Sequence, residues 1–257
     1  MIFLMGGNGF VGQAYRRLFQ LRQLPFEIIT RENYDSFVGR SCDLFLNANG
    51  NSVKFLADRQ PVADFDASVR SVVRSLTEIK SKAYIFLSSG DVYSDSTAPA
   101  VTREDNVIDL SRSSRYGLHK ALAESYVRNT HSRALILRMG GFVGPGMRKN
   151  AVFDMLNGEP IWLDLESELT FIGTDTAASI VYSLYEKGVI GETINLGPRG
   201  TIKLRDIYTR LRCQSEIKTD ARRVRYELNV DRLEVCYGHS LPTTAQEIDS
   251  FLAGQGL

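Results

Sequence analysis

Tyr116 and Lys120 stand four residues apart in Tyr116-Gly117-Leu118-His119-Lys120-Ala121-Leu122-Ala123-Glu124, a stretch that reads as the N-terminal part of a helix running to about Asn129, with Ser113 or Ser114 as its cap. At that spacing both side chains project from one helix face. An ammonium beside a phenol stabilises the phenolate and draws its pKa down from about 10 toward neutrality. A tyrosine tuned in this way can shuttle a proton while a cofactor moves a hydride. A surface ion pair has the same spacing, so the pattern needs a third group. The apolar strand Tyr84-Ile85-Phe86-Leu87 supplies it, because it ends in Ser88-Ser89-Gly90-Asp91-Val92-Tyr93. Ser88 and Ser89 are expected to face one crevice with Asp91 beside them. Ser89 then hydrogen-bonds the substrate oxygen that gains or loses the proton, and Ser89, Tyr116 and Lys120 serve one carbonyl.

A hydride needs a carrier, and the N-terminus offers a seat for one. Gly6-Gly7-Asn8-Gly9-Phe10-Val11-Gly12 joins the apolar strand Ile2-Phe3-Leu4-Met5 to a helical pattern through Phe10, Val11, Ala14, Tyr15 and Leu18. Glycine lets the backbone turn sharply and approach a pyrophosphate, while the free N–H groups and positive end of the new helix attract its charge. Gly6, Asn8, Gly9, Phe10, Val11 and Gly12 are therefore the expected cofactor contacts. A second strand, 25–30, ends in Thr30-Arg31-Glu32. NAD enzymes usually place an acid there for the ribose 2′-hydroxyl, whereas a guanidinium suits a 2′-phosphate. Arg31 points to NADP, with NAD as the alternative that Glu32 keeps open.

The remaining elements must bring these groups together. The next strand, within Asp43-Leu44-Phe45-Leu46-Asn47-Ala48-Asn49-Gly50, follows so soon that a full crossover helix and strand are shortened. Its exit, Asn47, Ala48 and Asn49, is expected at the cofactor. Residues 64–79 read as a scaffold helix with Phe65, Val69, Val72, Val73 and Leu76 inward. Ala134–Met139 is a further buried strand, and the loop Gly140–Gly146 places Gly141 at the ligand edge. Helices are expected near 150–156 and over 176–187, the latter capped by Thr174 or Asp175. Small helices over 206–211 and 244–252 complete an annex. The fold class is α/β, a Rossmann-type doubly wound parallel sheet: residues 1–147 form the core with 172–197 returning to it, and 148–171 with 198–257 form a small, mostly C-terminal substrate lobe.

Composition narrows the partners. The net charge is +1 over 257 residues, so no general field holds nucleic acid or an anionic membrane. Three cysteines without C-x-x-C spacing, and histidines far apart in sequence, predict neither a disulfide framework nor a metal site. His119 reads as a helix-surface residue and Trp162 as packing. An apolar strand from Ile2 leaves no room for a signal peptide, and no run reaches the roughly 20 residues needed to span a bilayer. A cytoplasmic protein is expected.

Taken in order, these motifs resemble the extended short-chain dehydrogenase/reductase family, the NAD(P)-dependent epimerases and dehydratases acting mainly on nucleotide sugars. Gly6 to Gly12 resembles its cofactor turn, Ser88 to Tyr93 its S-S-x-x-V-Y strand end, and Tyr116 to Lys120 its Y-x-x-x-K. Arg138 to Gly146 resembles its R-x-x-x-x-x-G-P-G loop, and Phe171 to Asp175 its late F-I-x-x-D segment. The resemblance implies that Ser89 positions substrate, that Tyr116 is the acid/base, and that Lys120 holds the nicotinamide ribose. It also implies a nucleoside-diphosphate sugar as partner, with Ser88, Asp91 and Gly141 near it, and a homodimer through Ala121, Leu122, Tyr126 and Val127. Sugar 4,6-dehydratases carry Asp-Glu where this chain has Gly90-Asp91, which speaks against dehydration. Thr30-Arg31-Glu32 is similar to the T-R-D of GDP-sugar reductases, and Asn47-Ala48 to the N-A-A of 4-ketoreductases. The expected activity is therefore reduction of a 4-keto nucleotide sugar, with an epimerase of the same family or a catalytically silent cofactor-binding regulator as alternatives.

Overall fold

The computed structural model describes residues 1–50 and 54–256. Six parallel strands form the central sheet: β1 (Ile2–Met5), β2 (Phe26–Ile29), β3 (Ser41–Asn47), β4 (Lys80–Ser89), β5 (Ala134–Met139) and, later in the chain, β10 (Thr193–Leu196). Their spatial order is β10-β5-β4-β3-β1-β2. Each strand alternates its side chains between two apolar clusters. Ile2, Leu4, Leu44, Leu46, Ile85, Leu87, Leu135 and Leu137 belong to one, with α1 (Phe10–Leu21) and α7 (Thr174–Glu186) packed on it. Phe3, Met5, Phe45, Tyr84, Phe86 and Ile136 belong to the other, which also takes Ala123 and Val127 of α5 (Arg115–Thr130). The doubly wound sheet expected from the sequence is thus present.

Residues 30–40 make the shortened connection. In place of a crossover helix there is one turn of 3₁₀ helix, Tyr34–Phe37, whose two aromatic rings cover the sheet face. Arg40 closes it, stacking 4.5 Å from the Phe37 ring and 4.9 Å from that of Phe3 while pairing with Glu27. At the end of β2 the Asn33 side chain accepts from the Thr30 amide at 2.7 Å and donates to the Ile28 carbonyl at 2.9 Å.

The scaffold helix expected over 64–79 is broken into α2 (Lys54–Arg59), α3 (Pro61–Phe65), a π-turn at Asp66–Arg70 and α4 (Ser71–Glu78). The wider π-turn shifts the helical phase, so Val69 and Val72 go inward while Phe65 stays 40% exposed. The remaining elements are β6 (Gly141–Val143), α6 (Ala151–Asn157), β7 (Ile161–Leu163), β8 (Glu168–Leu169), β9 (Phe171–Gly173), β11 (Ile202–Lys203), α8 (Leu204–Arg210), β12 (Ile217–Arg222), α9 (Asp231–Tyr237) and α10 (Thr244–Gly254). They add three two-stranded ribbons, β11-β8, β12-β7 and β6-β9, where a loop over 140–146 and small helices in the annex were expected. A third apolar cluster, including Val152, Ile161, Leu204, Ile248 and Leu252, sits among them.

Several local expectations need correction. The cap of α7 is Gly173, with no side-chain bond, because Asp175 lies inside the first turn and pairs with Arg17 at 2.7 Å. Trp162 is 61% exposed, lying near the Lys218 ammonium instead of in a core. Ala121 and Val127 are buried within the chain, which leaves Leu122, 38% exposed, and the partly exposed Tyr126 as the outward residues of the expected dimer face. No helix among the described residues is long and apolar enough to cross a membrane.

Candidate active site

The strand order reverses beside β1, with β2 on one side and β3 on the other, and the exits of β1 and β3 border the crevice this creates. Gly6 takes φ +80°, and a side chain there would meet the Ala48 carbonyl at 2.7 Å. A methyl group on Gly12 would collide with the Gly6 carbonyl. These glycines let helix α1 begin directly against the strand exits. The helix has Gly9 as its cap, no side-chain cap bond and no acidic residue in its first turn, so its free amides and dipole are available to an anion. The turn fits a dinucleotide pyrophosphate. Asn8 is exposed at its tip, and Phe10 and Val11 are partly buried.

Alongside lies a cleft of about 320 Å³ lined by Arg31, Asn49, Gly50, Gln60, Asp64 and Ala67. Arg31 is exposed and makes no ion pair among the described residues. Neighbouring Glu32 is held below the usual carboxylate range chiefly by the Thr30 hydroxyl. Asn47 sends its side chain into the core, donating to Tyr84 Oη at 2.7 Å and accepting from the Asn49 amide at 3.0 Å. It shapes the β3 exit from below. Asn49 in turn bonds Ser71 Oγ at 3.2 Å.

Helix α5 begins at the expected place, with Ser114 Oγ accepting from the Gly117 amide at 3.1 Å. Gly117 has to be small there, because a side chain would strike the Asp91 carbonyl. Tyr116 and Ser89 are both nearly buried at the carboxyl end of β4. Ser89 Oγ donates to Asp91 Oδ2 at 2.9 Å, and Asp91 Oδ1 accepts from Lys54 Nζ at 2.7 Å. Burial first, then the Asp91 carboxylate, pushes the Tyr116 phenol well above its ordinary range, and the Ser89 hydroxyl opposes them. The phenol is therefore held neutral, contrary to the lowering expected from Lys120.

Lys120 explains that difference. It is buried, its Nζ lies 5.9 Å from the Tyr116 ring centroid, and it donates to the Leu87 carbonyl at 3.4 Å. Burial lowers its pKa to about 8, with Asp64, Glu124 and Asp91 pulling the other way. A side chain on Gly50, at φ +141°, would come within 2.9 Å of that nitrogen. The amine thus lies at the wall of the cleft beside Arg31.

Ser88 is corrected more sharply. It is fully buried and donates to Glu124 Oε1 at 2.7 Å, on the face of β4 opposite Ser89. A substrate in the crevice cannot reach it. Gly141 sits in β6, where a side chain would meet the Thr170 carbonyl at 2.6 Å, so its contribution is close backbone packing. His119 is not a surface residue, since it is buried with Nδ1 2.6 Å from Asp64 Oδ2, and the Phe65 ring lies edge-on to it. Among the described residues no group of three His, Cys, Asp or Glu side chains could hold a metal ion.

Three groups at this crevice were not anticipated. Lys54 bonds Asp91, and Lys149 lies close enough to feel both, since burial first and then the Lys54 charge lower its pKa while Asp91 raises it. Tyr226 brings a second phenol, which feels Asp91 and Tyr116. None of the three sits in a periodic pattern or a recognisable motif. The one sequence feature beside them is the small Gly90 that follows Ser89.

The model of the NAD dependent epimerase/dehydratase family matches residues 2–197. Among solved structures, a UDP-galactose 4-epimerase superposes with a TM-score of 0.79 at 19% identity, covering 99% of each chain. RMD from Pseudomonas aeruginosa, complexed with NADPH, reaches 0.79 at 20% identity and covers 98% of this chain and 97% of that one. A dTDP-4-dehydrorhamnose reductase from Bacillus anthracis, in complex with NADP, reaches 0.77 at 13% identity, with 98% and 97% covered. At such identities the likeness is one of fold. No curated protein matches the chain.

Proposed function

The chain belongs to the NAD dependent epimerase/dehydratase family, and from that premise we propose that it is an NADPH-dependent reductase of a 4-keto nucleotide sugar. The observation that carries this reading is the meeting of Ser89 and the neutral Tyr116 phenol at the end of β4, beside a glycine turn that fits a dinucleotide. When bound, the dinucleotide supplies the hydride. Ser89 orients the carbonyl oxygen, and Tyr116 gives that oxygen its proton as negative charge develops. A phenol kept protonated by its surroundings suits the donor role, which is the reductive direction. Lys120, at the cleft wall against Gly50, holds the ribose hydroxyls of the cofactor.

Arg31, exposed and without an ion pair among the described residues, is the group for a 2′-phosphate, which favours NADPH over NADH. Gly6, Gly9 and Gly12 admit the pyrophosphate, with Asn8, Phe10, Val11, Ala48 and Asn49 around it and Asn47 setting the loop from below. Lys54 and Lys149 concentrate positive charge at the mouth of the crevice, where a substrate diphosphate would lie. We assign the elements around the third apolar cluster, within 148–171 and 198–257, to the substrate lobe.

Incubation with NADPH and a panel of UDP-, dTDP- and GDP-linked 4-keto-6-deoxy sugars tests the reading. Stoichiometric NADPH oxidation with one member is the expected result. Interconversion of sugar epimers without net oxidation would make the protein an epimerase instead. Absence of any thermal shift with NADPH, NADP⁺, NADH or NAD⁺ would remove the cofactor from the scheme.

A further inference from the structure

Gly90 directly follows the catalytic-type Ser89, and the space its side chain would fill is taken from elsewhere. A methyl group built on Gly90 would collide with the Tyr226 hydroxyl and come within 2.8 Å of Leu228 Cδ2. Tyr226 lies well over a hundred residues downstream, yet its phenol stands beside Ser89, within the electrostatic reach of Asp91 and Tyr116. The Lys54 ammonium stacks 5.7 Å from its ring centroid. Its hydroxyl makes no hydrogen bond among the described residues, whereas Ser89 Oγ and both carboxylate oxygens of Asp91 are engaged.

The segment that delivers Tyr226 is tied down on both sides. Its own amide donates to the Glu168 carbonyl at 2.9 Å, and the Val224 amide donates to Ser167 Oγ at 3.1 Å. On the sheet side, the Glu227 amide donates to the Ser96 carbonyl at 2.8 Å, and Thr102 Oγ1 bonds both the Glu227 carbonyl and the Asn229 amide. Arg225 adds pairs with Glu168 and Glu227 at 2.7 Å each. A side chain so anchored is held in place before any ligand arrives. Burial, and then the charge of Asp91, keeps its phenol protonated, so it is a hydrogen-bond donor.

We propose that Tyr226 is a substrate-orienting residue: its hydroxyl, seated in the space that Gly90 leaves open, donates a hydrogen bond to the hydroxyl on the sugar carbon next to the carbonyl being reduced. This rests on the reductase reading above. Ser89 and Tyr116 hold the carbonyl oxygen, and the Tyr226 hydroxyl fills the side-chain space of the very next residue, Gly90, which directs it to an oxygen on a ring carbon beside the carbonyl. In a 4-keto-6-deoxy sugar the other neighbouring carbon, C5, bears the ring oxygen and a methyl group. The 3-hydroxyl is therefore the partner. The interaction selects both the sugar and the face it presents.

The test compares wild type with Tyr226→Phe, using NADPH and the best 4-keto-6-deoxy sugar nucleotide of the panel together with its 3-deoxy analogue. Loss of one hydrogen bond between neutral groups predicts a fall in kcat/KM of about 5- to 20-fold with the parent sugar, carried mainly by KM. With the 3-deoxy analogue the two proteins should be equal, an equality that a general structural defect would not produce. Dissociation constants for NADPH and melting temperatures should match. Equal kinetics with the parent sugar, or the same fold-loss with both sugars, overturns the role of Tyr226 while the reductase reading stands. A wild-type protein that binds NADPH and turns over no member of the panel overturns both.

Discussion

Lys120 and Glu124 lie one turn apart on α5, both buried and both ionisable, yet their surroundings differ in kind. Glu124 sits in a closed network. Its carboxylate takes both arms of Arg138, at 3.1 and 2.9 Å, together with Ser88 Oγ at 2.7 Å and Arg128 at 3.1 Å. Arg138 passes the chain on to Tyr93 Oη at 2.8 Å, and Tyr93 to Asn195 at 2.9 Å. Asn195 then bonds the Thr102 and Asn229 carbonyls, and its amide donates to Glu104 at 2.9 Å. Burial opposes the Arg138 charge, but Glu124 more than offsets it and holds the guanidinium above its ordinary value. Lys120 has one long bond to a carbonyl and a depressed pKa, and Tyr116 above it is displaced the other way. The buried charge of Glu124 is satisfied within the chain, whereas that of Lys120, the group we propose for the cofactor, is left with bonding capacity for a ligand.

Three substitutions can break or sharpen that contrast. Tyr116→Phe should lower kcat by roughly three orders of magnitude, about 4 kcal/mol in the barrier, with NADPH affinity and stability unchanged. A large loss of stability instead would put Tyr116 on the structural side of the divide. Glu124→Ala strands a buried guanidinium and should cost about 3–4 kcal/mol in urea unfolding; a loss under 1 kcal/mol would show that the network is less closed than its geometry. Lys120→Met should do the opposite and stabilise the protein at pH 7 by roughly 2 kcal/mol, since the buried ammonium is disfavoured there. The sign follows from the folded pKa of about 8 against 10.5 for the free side chain. Between those values the unfolded chain holds a proton that the folded chain has released, so wild-type stability rises with pH across the window. Urea midpoints at pH 7 and 9.5 measure this: the advantage of Lys120→Met should shrink at the higher pH, and an equal advantage at both would remove the proton linkage.

What the sequence disclosed follows the range of the forces involved. The glycine turn, the Ser114 cap and the Tyr116/Lys120 face are set by neighbours within a few residues, and each stands where its pattern places it. The pairing of His119 with Asp64 joins residues brought together by two different helices, and nothing within either helix signals it. The two- and three-residue ribbons of the annex are too short to carry a period. Ser88 is a different case, because the alternation of a strand already requires Ser88 and Ser89 to face opposite sides of the sheet. Only one of them could border the crevice. At Gly90 the sequence pattern speaks only against dehydration, and it is the fold that fills the place of the missing side chain, from Tyr226.

The shortened connection after β2 also bears on how the protein behaves among its own copies. Without a further strand beyond it, β2 is one outer edge of the sheet and β10 the other, and an open edge is a template on which another chain can add. A side chain occupies part of each edge. On β2, Asn33 occupies the Thr30 amide and the Ile28 carbonyl as a neighbouring strand would. On β10, Glu104 takes the Asn195 amide. Each of these two residues takes backbone groups that an added strand would need, which works against edge-to-edge pairing at those points.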